Sequence, residues 1–361
     1  MLCIEQLKAQ SVRNLVELNI EPCPKLNFFY GPNASGKTSV LESIYLLSRI
    51  KSFRTKRIND VVRRGEEKLQ VFAKGLSKKK RFSVGVEKGR GITSIKFDGE
   101  IIQTASEQAR RLPVYILTPD HHILFTGTPK DRRHWLDWSL FHVEQNYMLV
   151  WKSYHRALRH RNALLKAERA INSEELTGWE KMMSDEAAKI DVMRKEYVSN
   201  LNQFLNEKHL PFVLPGSGRV KYSNESYAKQ DLGRLLAENR QDDINRGYTS
   251  LGPHRTDIVF THDDFNVAKH LSRGQTKLFG AALVSSQIEI LKKADIDAMM
   301  LVDDLDAELD EESSKKMLEL LLANDIQTFV SSLTKPEWFQ QEKGKHAVFH
   351  VERGKVQKMV E

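Results

Sequence analysis

Four residues, Gly31, Gly36, Lys37 and Thr38, stand at the spacing G-x-x-x-x-G-K-[ST] without a mismatch. Glycines at these two places let backbone N–H groups close around phosphate oxygens. The Lys37 ammonium would neutralise the β- and γ-phosphates of a nucleotide, and the Thr38 hydroxyl would hold Mg²⁺. A helix starting here would add the partial positive charge of its N-terminus. Asn33, Ser35 and Ser39 complete the nucleotide-binding set expected of this loop. The competing reading is a glycine-rich turn with no ligand.

Such a loop needs a carboxylate from a second buried strand to organise its metal, and "AMMLVDDLDAELD" supplies one. Ala298 to Val302 reads as that strand, with Asp303 and Asp304 at its C-terminal end. Asp303 would orient Mg²⁺ or its water, and Asp304 would polarise the attacking water. A solvated acidic cluster or a helix cap is the competing reading, and the apolar run before the pair weighs against it. A third element is "HLSRGQTKLFGAAL", residues 270 to 283. A serine hydroxyl and N–H groups at a helix start bind anions, although an ordinary N-capped helix carries the same residues. Ser272, Gly274 and Gln275 match the LSGGQ-type signature of ABC-class ATPases, with Arg273 in place of a glycine. In ABC-type pairs this loop serves the γ-phosphate of the opposite subunit. Ser272, Arg273, Gly274 and Gln275 are therefore expected to act in trans.

The elements that must position these groups are legible in outline. Residues 2 to 30 alternate apolar and polar with breaks at Arg13–Asn14 and Pro22/Pro24, which predicts two or three strands, "KLNFFY" feeding the glycine loop. Val40, Leu41, Ile44, Leu46 and Leu47 predict a helix over 38 to 48. From 68 to 102 short strands alternate with turns, and Asp98–Gly99 is a hairpin signal. "PVYILTPD" is another buried strand. After Pro129 the spacing turns helical over 130 to 166. Trp179, Met183, Ile190, Met193, Tyr197, Leu201 and Phe204 form one face of a long helix over 179 to 208. "DLGRLLAENRQDDINRG" predicts one further helix, and "TDIVFTHDDFNVAKH" strands with a turn at Asp263–Asp264.

Composition sets wider bounds. The chain has 361 residues, enough for two cores, and 40% are apolar. No apolar run approaches the roughly 20 residues of a membrane span. The start "MLCIEQLKAQ" has no signal-peptide pattern, so a cytoplasmic protein is expected. The net charge of +8 favours a polyanionic partner. Cys3 and Cys23 read as reduced thiols, and no histidine spacing suggests a metal site. His121–His122 and His155/His160 read as surface or packing residues.

With these motifs in order, the sequence resembles the RecF family of bacterial recombination-repair ATPases along nearly its whole length. "SVRNLVELNIEP", "GPNASGKTSVLESIYLLSRIKSFRT", "TPDHHILFTGTPKDRRHWLD", "YHRALRHRNALLK", "SLGPHRTDI", "LSRGQTKL" and "LVDDLDAELD" all have family counterparts. The resemblance implies an α/β fold: an ABC-type P-loop ATPase head, related to the heads of SMC and Rad50 proteins, with an inserted helical arm. Its expected divisions are 1–125 and 246–361 for the head and 126–245 for the arm. It implies ATP and Mg²⁺ as cofactors, an ATP-dependent homodimer, slow hydrolysis and nucleoid-associated DNA binding. It also implies work with RecO and RecR in directing RecA to single-stranded gaps. By similarity to SMC heads, Thr118 to Asp120 hold the Q-loop place, with Asp120 the polar contact to nucleotide, and Arg54 falls near an arginine loop. Ala34 departs from the glycine common after the asparagine and is expected to be harmless. Ser331/Ser332, after the strand "IQTFV", stand where transporter ATPases carry a switch histidine.

Positive charge clusters at Arg49, Lys51, Arg54, Lys56 and Arg57, at Arg63–Arg64, at Lys78, Lys79, Lys80 and Arg81, and at Arg156, Arg159 and Arg161. Lysine and arginine bind phosphates without reading sequence, so these are candidate DNA contacts. Any one cluster is equally a solvated face. Arg132–Arg133, beside Trp135 and Trp138, are expected to anchor the arm to the head. The rival function is the ATP-binding subunit of a membrane transporter, against which the missing histidine and the large insertion argue. A long tether of the SMC kind needs heptads that are absent, and a GTPase needs an Asn-Lys-x-Asp reader that is also absent.

Overall fold

Leu26–Tyr30 forms a strand whose first four residues are all buried, because it lies inside a sheet covered on both faces. In the computed structural model, which describes residues 1–166, 173–227, 230–339 and 344–359, this sheet has six strands. Their order is Lys355–Met359, His346–Glu352, Leu26–Tyr30, Gln327–Ser332, Met299–Val302 and Val114–Leu117. The last five are mutually parallel. Met299–Val302, continuously apolar, and Gln327–Ser332 are buried at every position, as strands inside a parallel sheet should be. The second of these also buries polar side chains, Gln327, Thr328, Ser331 and Ser332, and Gln327 has a structural use. Its amide bonds Ile4 and Cys23 and so joins the sheet to the first strand of the chain.

A second six-stranded sheet is antiparallel, in the order Leu15–Ile20, Cys3–Val12, Lys68–Ser77, Lys80–Gly89, Ile92–Phe97 and Glu100–Ile101. Its strands alternate buried and exposed, so one face packs on the core. The helix Lys37–Arg49 lies in that core, with Val40, Leu41, Ile44, Leu46 and Leu47 fully buried. Lys78 and Lys79 both take positive φ at the tip of the Lys68–Gly89 hairpin, and Asp98–Gly99 turn the Ile92–Ile101 hairpin.

These sheets belong to one compact unit, Met1–His121, Phe212–Leu214 and Arg273–Glu361. The other is His122–Pro211 and Pro215–Ser272. It contains the helices Pro129–Val143, Tyr147–Leu165 and Ser173–Phe204, the first closed by a Thr128–Asp131 capping box. The long helix buries Met183, Ile190, Tyr197 and Leu201, while Trp179, Met193 and Phe204 are half-buried.

Two features depart from the expected arm. Its end was expected at 245, but the unit runs to Ser272. Asp257–His262 pairs with an unanticipated strand, Gly218–Ser223, and with Phe265–Asn266, so these strands belong to the second unit and not to the head. Residues 231–247 form two short helices, Leu232–Glu238 and Arg240–Arg246, rather than one. Asn239 sits between them with non-helical backbone, its amide bonding the Leu235 carbonyl. No helix among the described residues is long and apolar enough to cross a membrane.

Candidate functional site

Parallel strands deliver their C-terminal ends to one edge of a sheet, where ligands of such folds bind. Here that edge receives the glycine loop after Leu26–Tyr30, Ser331 and Ser332 at the end of the neighbouring strand, and Asp303–Asp304 after the next. Thr38 Oγ1 donates to Asp303 Oδ1 at 2.9 Å, although the two are 265 residues apart. Ser331 Oγ donates to the same carboxylate oxygen at 2.8 Å and accepts from the Asp304 N–H at 2.9 Å. Ser331 and Ser332 are thus the last residues of their strand, not the residues after it. Ser331 is committed to the acidic pair.

The loop has the geometry of a phosphate cradle. Gly31 has φ +152°, and a Cβ there would lie 2.1 Å from the Val351 carbonyl oxygen. Gly36 has φ +119° at the start of the helix. The Lys37 ammonium donates to the carbonyls of Gly31 (2.7 Å) and Pro32 (3.0 Å) and is almost buried. The Ser35 hydroxyl is buried with no hydrogen-bond partner among the described residues, an orphaned group that a phosphate oxygen would satisfy. Asn33 is exposed on the loop. Ser39 is used differently from expectation. Its hydroxyl donates to Asn14 Oδ1 (2.9 Å), while Asn14 Nδ2 donates to the Ala34 carbonyl (3.0 Å). Asn14 therefore braces the loop, a role no motif announces. Arg13 beside it forks onto the buried Glu42 of the loop helix, at 2.7 and 2.9 Å.

Burial pushes the Asp303 carboxyl up. The Ser331 and Thr38 hydrogen bonds oppose that shift, Asp304 adds to it, and the positive charge of Arg54 opposes it from further off. Arg54 is exposed, and its charge is the smallest of these influences on Asp303. Asp120 is exposed on the turn Pro119–His122, just beyond Val114–Leu117, and its side chain makes no hydrogen bond among the described residues.

The signature residues Ser272, Arg273 and Gln275 are exposed around the start of the helix Arg273–Lys293. Gly274 is tighter: a Cβ there would come within 2.7 Å of the Glu308 carbonyl. Arg273 pairs with Glu308 at 3.3 Å. Lys277, overlooked in the sequence, is buried on the same helix and donates to carbonyls of the segment after Asp303. Desolvation lowers it to about 8, with Glu308 and the Asp304, Asp306 and Asp303 carboxylates opposing.

The basic clusters separate into different environments. Lys51, Lys56, Arg57, Lys79, Lys80 and Arg81 are exposed. Lys78 is paired with Asp295. Arg49 is half-buried, its guanidinium 5.9 Å from the Tyr45 ring centroid, so it packs rather than faces a ligand. Arg156 and Arg159 are exposed, near Trp151 and His155. Arg161 is removed from the DNA candidates: it is fully buried, bonded to Asp243 (2.7 Å), Glu180 and Thr249. Arg132 forks onto Asp257 at 2.8 Å and Arg133 bonds the Thr256 carbonyl. Both contacts lie inside the second unit, so this pair braces the unit internally rather than anchoring it to the head.

The family model of the RecF/RecN/SMC N-terminal domain matches residues 3–357. The DNA replication and repair protein RecF of Azotobacter vinelandii is 33% identical over 361 residues, covering 98% of each chain. That of Pseudoalteromonas translucida is 33% identical over 335 residues, covering 92% of each. Among solved structures, the recombination mediator protein RecF with ATP, from the RecFOR pathway, is similar with a TM-score of 0.87 at 24% identity, covering 99% of this chain and 98% of that one. An Smc head bound to the C-winged helix domain of ScpA follows at 0.59 and 15%, covering 99% and 97%. Given this full-length match, the chain belongs to the RecF family of DNA replication and repair proteins, ABC-type ATPases whose head is related to that of SMC proteins.

Proposed function

We propose that this protein binds ATP with Mg²⁺ between the glycine loop and Asp303, dimerises on it, hydrolyses it slowly and binds DNA in recombinational repair. The observation that carries the reading is the Thr38–Asp303 hydrogen bond, which joins the two halves of a metal-nucleotide site across 265 residues. Lys37 and the loop N–H groups would hold the phosphates, and the Ser35 hydroxyl would gain a partner. Thr38 and Asp303 would hold Mg²⁺, which supplies charge neutralisation at the phosphate oxygens. Asp304 orients a water and accepts its proton. The water oxygen bonds to the γ-phosphorus, the bond to the β–γ bridging oxygen breaks, and ADP leaves with the electron pair.

Ser272, Arg273 and Gln275, exposed in one subunit, would with Gly274 meet the γ-phosphate held by the other. Lys51, Arg54, Lys56, Arg57, Arg64, Lys79, Lys80 and Arg81 are exposed head cations that a DNA backbone could meet, and Arg156 and Arg159 are exposed in the second unit. Two solved relatives are described as recombination mediators of the RecFOR pathway, which supports RecO and RecR as partners; action at gapped DNA awaiting RecA is what the family resemblance implies. No observation favours a transporter subunit.

Equilibrium ATP binding and light scattering on the same samples, with and without gapped DNA, test the reading. Wild-type protein is expected to double in mass with ATP and Mg²⁺, and Lys37→Ala to lose ATP binding and the mass change together. Unaltered ATP affinity in Lys37→Ala would overturn it.

A further inference from the structure

Lys277 is 5% exposed, and its ammonium donates three hydrogen bonds. All go to main-chain carbonyls of one segment: Asp304 at 2.7 Å, Ala307 at 2.8 Å and Leu305 at 3.1 Å. An ammonium has three donors, so its capacity is filled by that segment. A buried charge with no carboxylate in direct contact costs stability, so its place needs a reason.

The segment it holds is strained. Asp304 has φ 52° and Glu308 φ 68°, left-handed values at residues with a Cβ. The peptide groups on both sides of the Asp304 Cα are pinned. Its N–H is held by Ser331 Oγ, and its carbonyl by Lys277 and by the Ala307 N–H at 3.2 Å. The Leu305 N–H is held by the Ser331 carbonyl at 2.8 Å. With the backbone fixed on both sides, the direction in which the Asp304 Cα–Cβ bond leaves the chain is set. Lys277 also rides on the helix whose first turn carries Arg273 and Gly274, both against Glu308.

We propose that Lys277 is a positioning residue for hydrolysis: it clamps the Asp304–Ala307 backbone to the signature helix and so holds the Asp304 carboxylate on the attacking water. This rests on the ATPase reading given above. Lys277 itself touches neither nucleotide nor water.

The test is a double-mutant cycle in the full-length protein with Lys277→Met, Lys277→Arg, Asp304→Asn and the double variant Lys277→Met/Asp304→Asn. ATP affinity and kcat are measured for each. Lys277→Met is expected to lower kcat by about tenfold or more while ATP affinity changes by less than about threefold. Lys277→Arg, which restores a charged donor, is expected to recover at least half of that loss on a logarithmic scale. The double variant should be no slower than Asp304→Asn alone, since a residue acting only through Asp304 has nothing left to position. A general packing role would instead multiply the losses, and that result overturns the proposal, as does wild-type kcat in Lys277→Met. If Lys277→Met does not fold, Lys277→Gln, which keeps two donors, takes its place under the same criteria. Wild-type turnover by Asp304→Asn would overturn the catalytic reading and this proposal with it. Slow Asp304→Asn with an unaltered Lys277→Met overturns this proposal alone.

Discussion

Two residues of the proposed reaction site are left-handed, and for different reasons. Asp304 has φ 52° beside the acidic partner that Thr38 and Ser331 bind. Ala34 has φ 61° in the middle of the glycine loop. The strain at Asp304 belongs with its proposed task, since such conformations persist where surroundings over-determine them. Asp304→Asn keeps the shape and loses the base. ATP affinity should stay within about threefold while hydrolysis falls at least about 100-fold, the usual worth of a general base, as single-turnover kinetics would show. Hydrolysis at the wild-type rate would move the role to Asp303. Ala34 has no such compensation. Its Cβ is what makes the conformation costly, so the replacement expected to be harmless carries a price in stability. Ala34→Gly should raise unfolding stability by about 1 kcal/mol, read as a shift in the denaturant midpoint at constant slope. A lowered midpoint would mean that the loop relies on the alanine methyl.

At the level of elements, the second unit is held by buried charge. Arg161 and Arg194 are both almost fully buried. Arg161 joins Tyr147–Leu165 to Asp243 and Glu180, and Arg194 joins Ser173–Phe204 to Asp137 and the Pro253 carbonyl. The stretch "SLGPHRTDI" is the turn these groups converge on. Gly252, at φ +128°, has no room for a Cβ because the Tyr154 hydroxyl would lie 2.4 Å away. That hydroxyl bonds His254 Nδ1 at 2.7 Å, and His254 Nε2 faces the Thr249 carbonyl at 3.1 Å. A carbonyl only accepts, so Nε2 carries the proton and Nδ1 accepts from Tyr154. Protonation would put two donors where one acceptor is needed. Burial accordingly lowers His254 to about 4 from its ordinary 6.5. Between these values the unfolded chain binds the proton and the folded one does not, so stability falls as pH falls through that window. Going from pH 7 to pH 5 should cost the unit about 2 kcal/mol, measured as the drop in its urea midpoint. His254→Gln, with a donor and an acceptor but no titration, should remove most of that drop. His155, lowered by burial in the same way, leaves a smaller slope behind. An undiminished drop in His254→Gln would assign the acid sensitivity elsewhere.

On the scale of the whole molecule, the ABC-type reading requires two copies of the chain. Ser272, Arg273 and Gln275 are exposed, as residues serving a partner's nucleotide must be. Ser272→Arg puts a bulky cation in the facing surface and removes a hydroxyl donor, leaving the glycine loop of the same chain intact. Its ATP affinity should remain near wild type, while the ATP-driven doubling of mass and the hydrolysis that depends on it are lost. Light scattering and nucleotide binding on one sample separate the outcomes. Lost ATP affinity in the monomer would mean that the signature acts within its own chain. Normal dimerisation and turnover would leave 271–275 as a capped helix.

Whatever depends on a few adjacent residues was determined by the sequence. The glycine loop, the helix Lys37–Arg49, the turn at Asp98–Gly99 and the one at Asp263–Asp264, both aspartates at positive φ, follow from local backbone preferences and spacing. The apolar run before Asp303 likewise foretells a buried strand. The strand Gly218–Ser223 escaped because six alternating residues after a glycine-rich turn signal little, and its stability comes from Asp257–His262, far along the chain. The fate of each positive charge also lay beyond the sequence. Arg161 reads like Arg159 two residues earlier, yet one meets Glu180 and Asp243 in the interior and the other meets water. Ser331 beside Asp303, Asn14 beneath the glycine loop and Lys277 under Asp304 are joined by hydrogen bonds between groups 20 or more residues apart. Such bonds exist only once strand order and helix docking have brought their ends together, so only the tertiary structure could decide them.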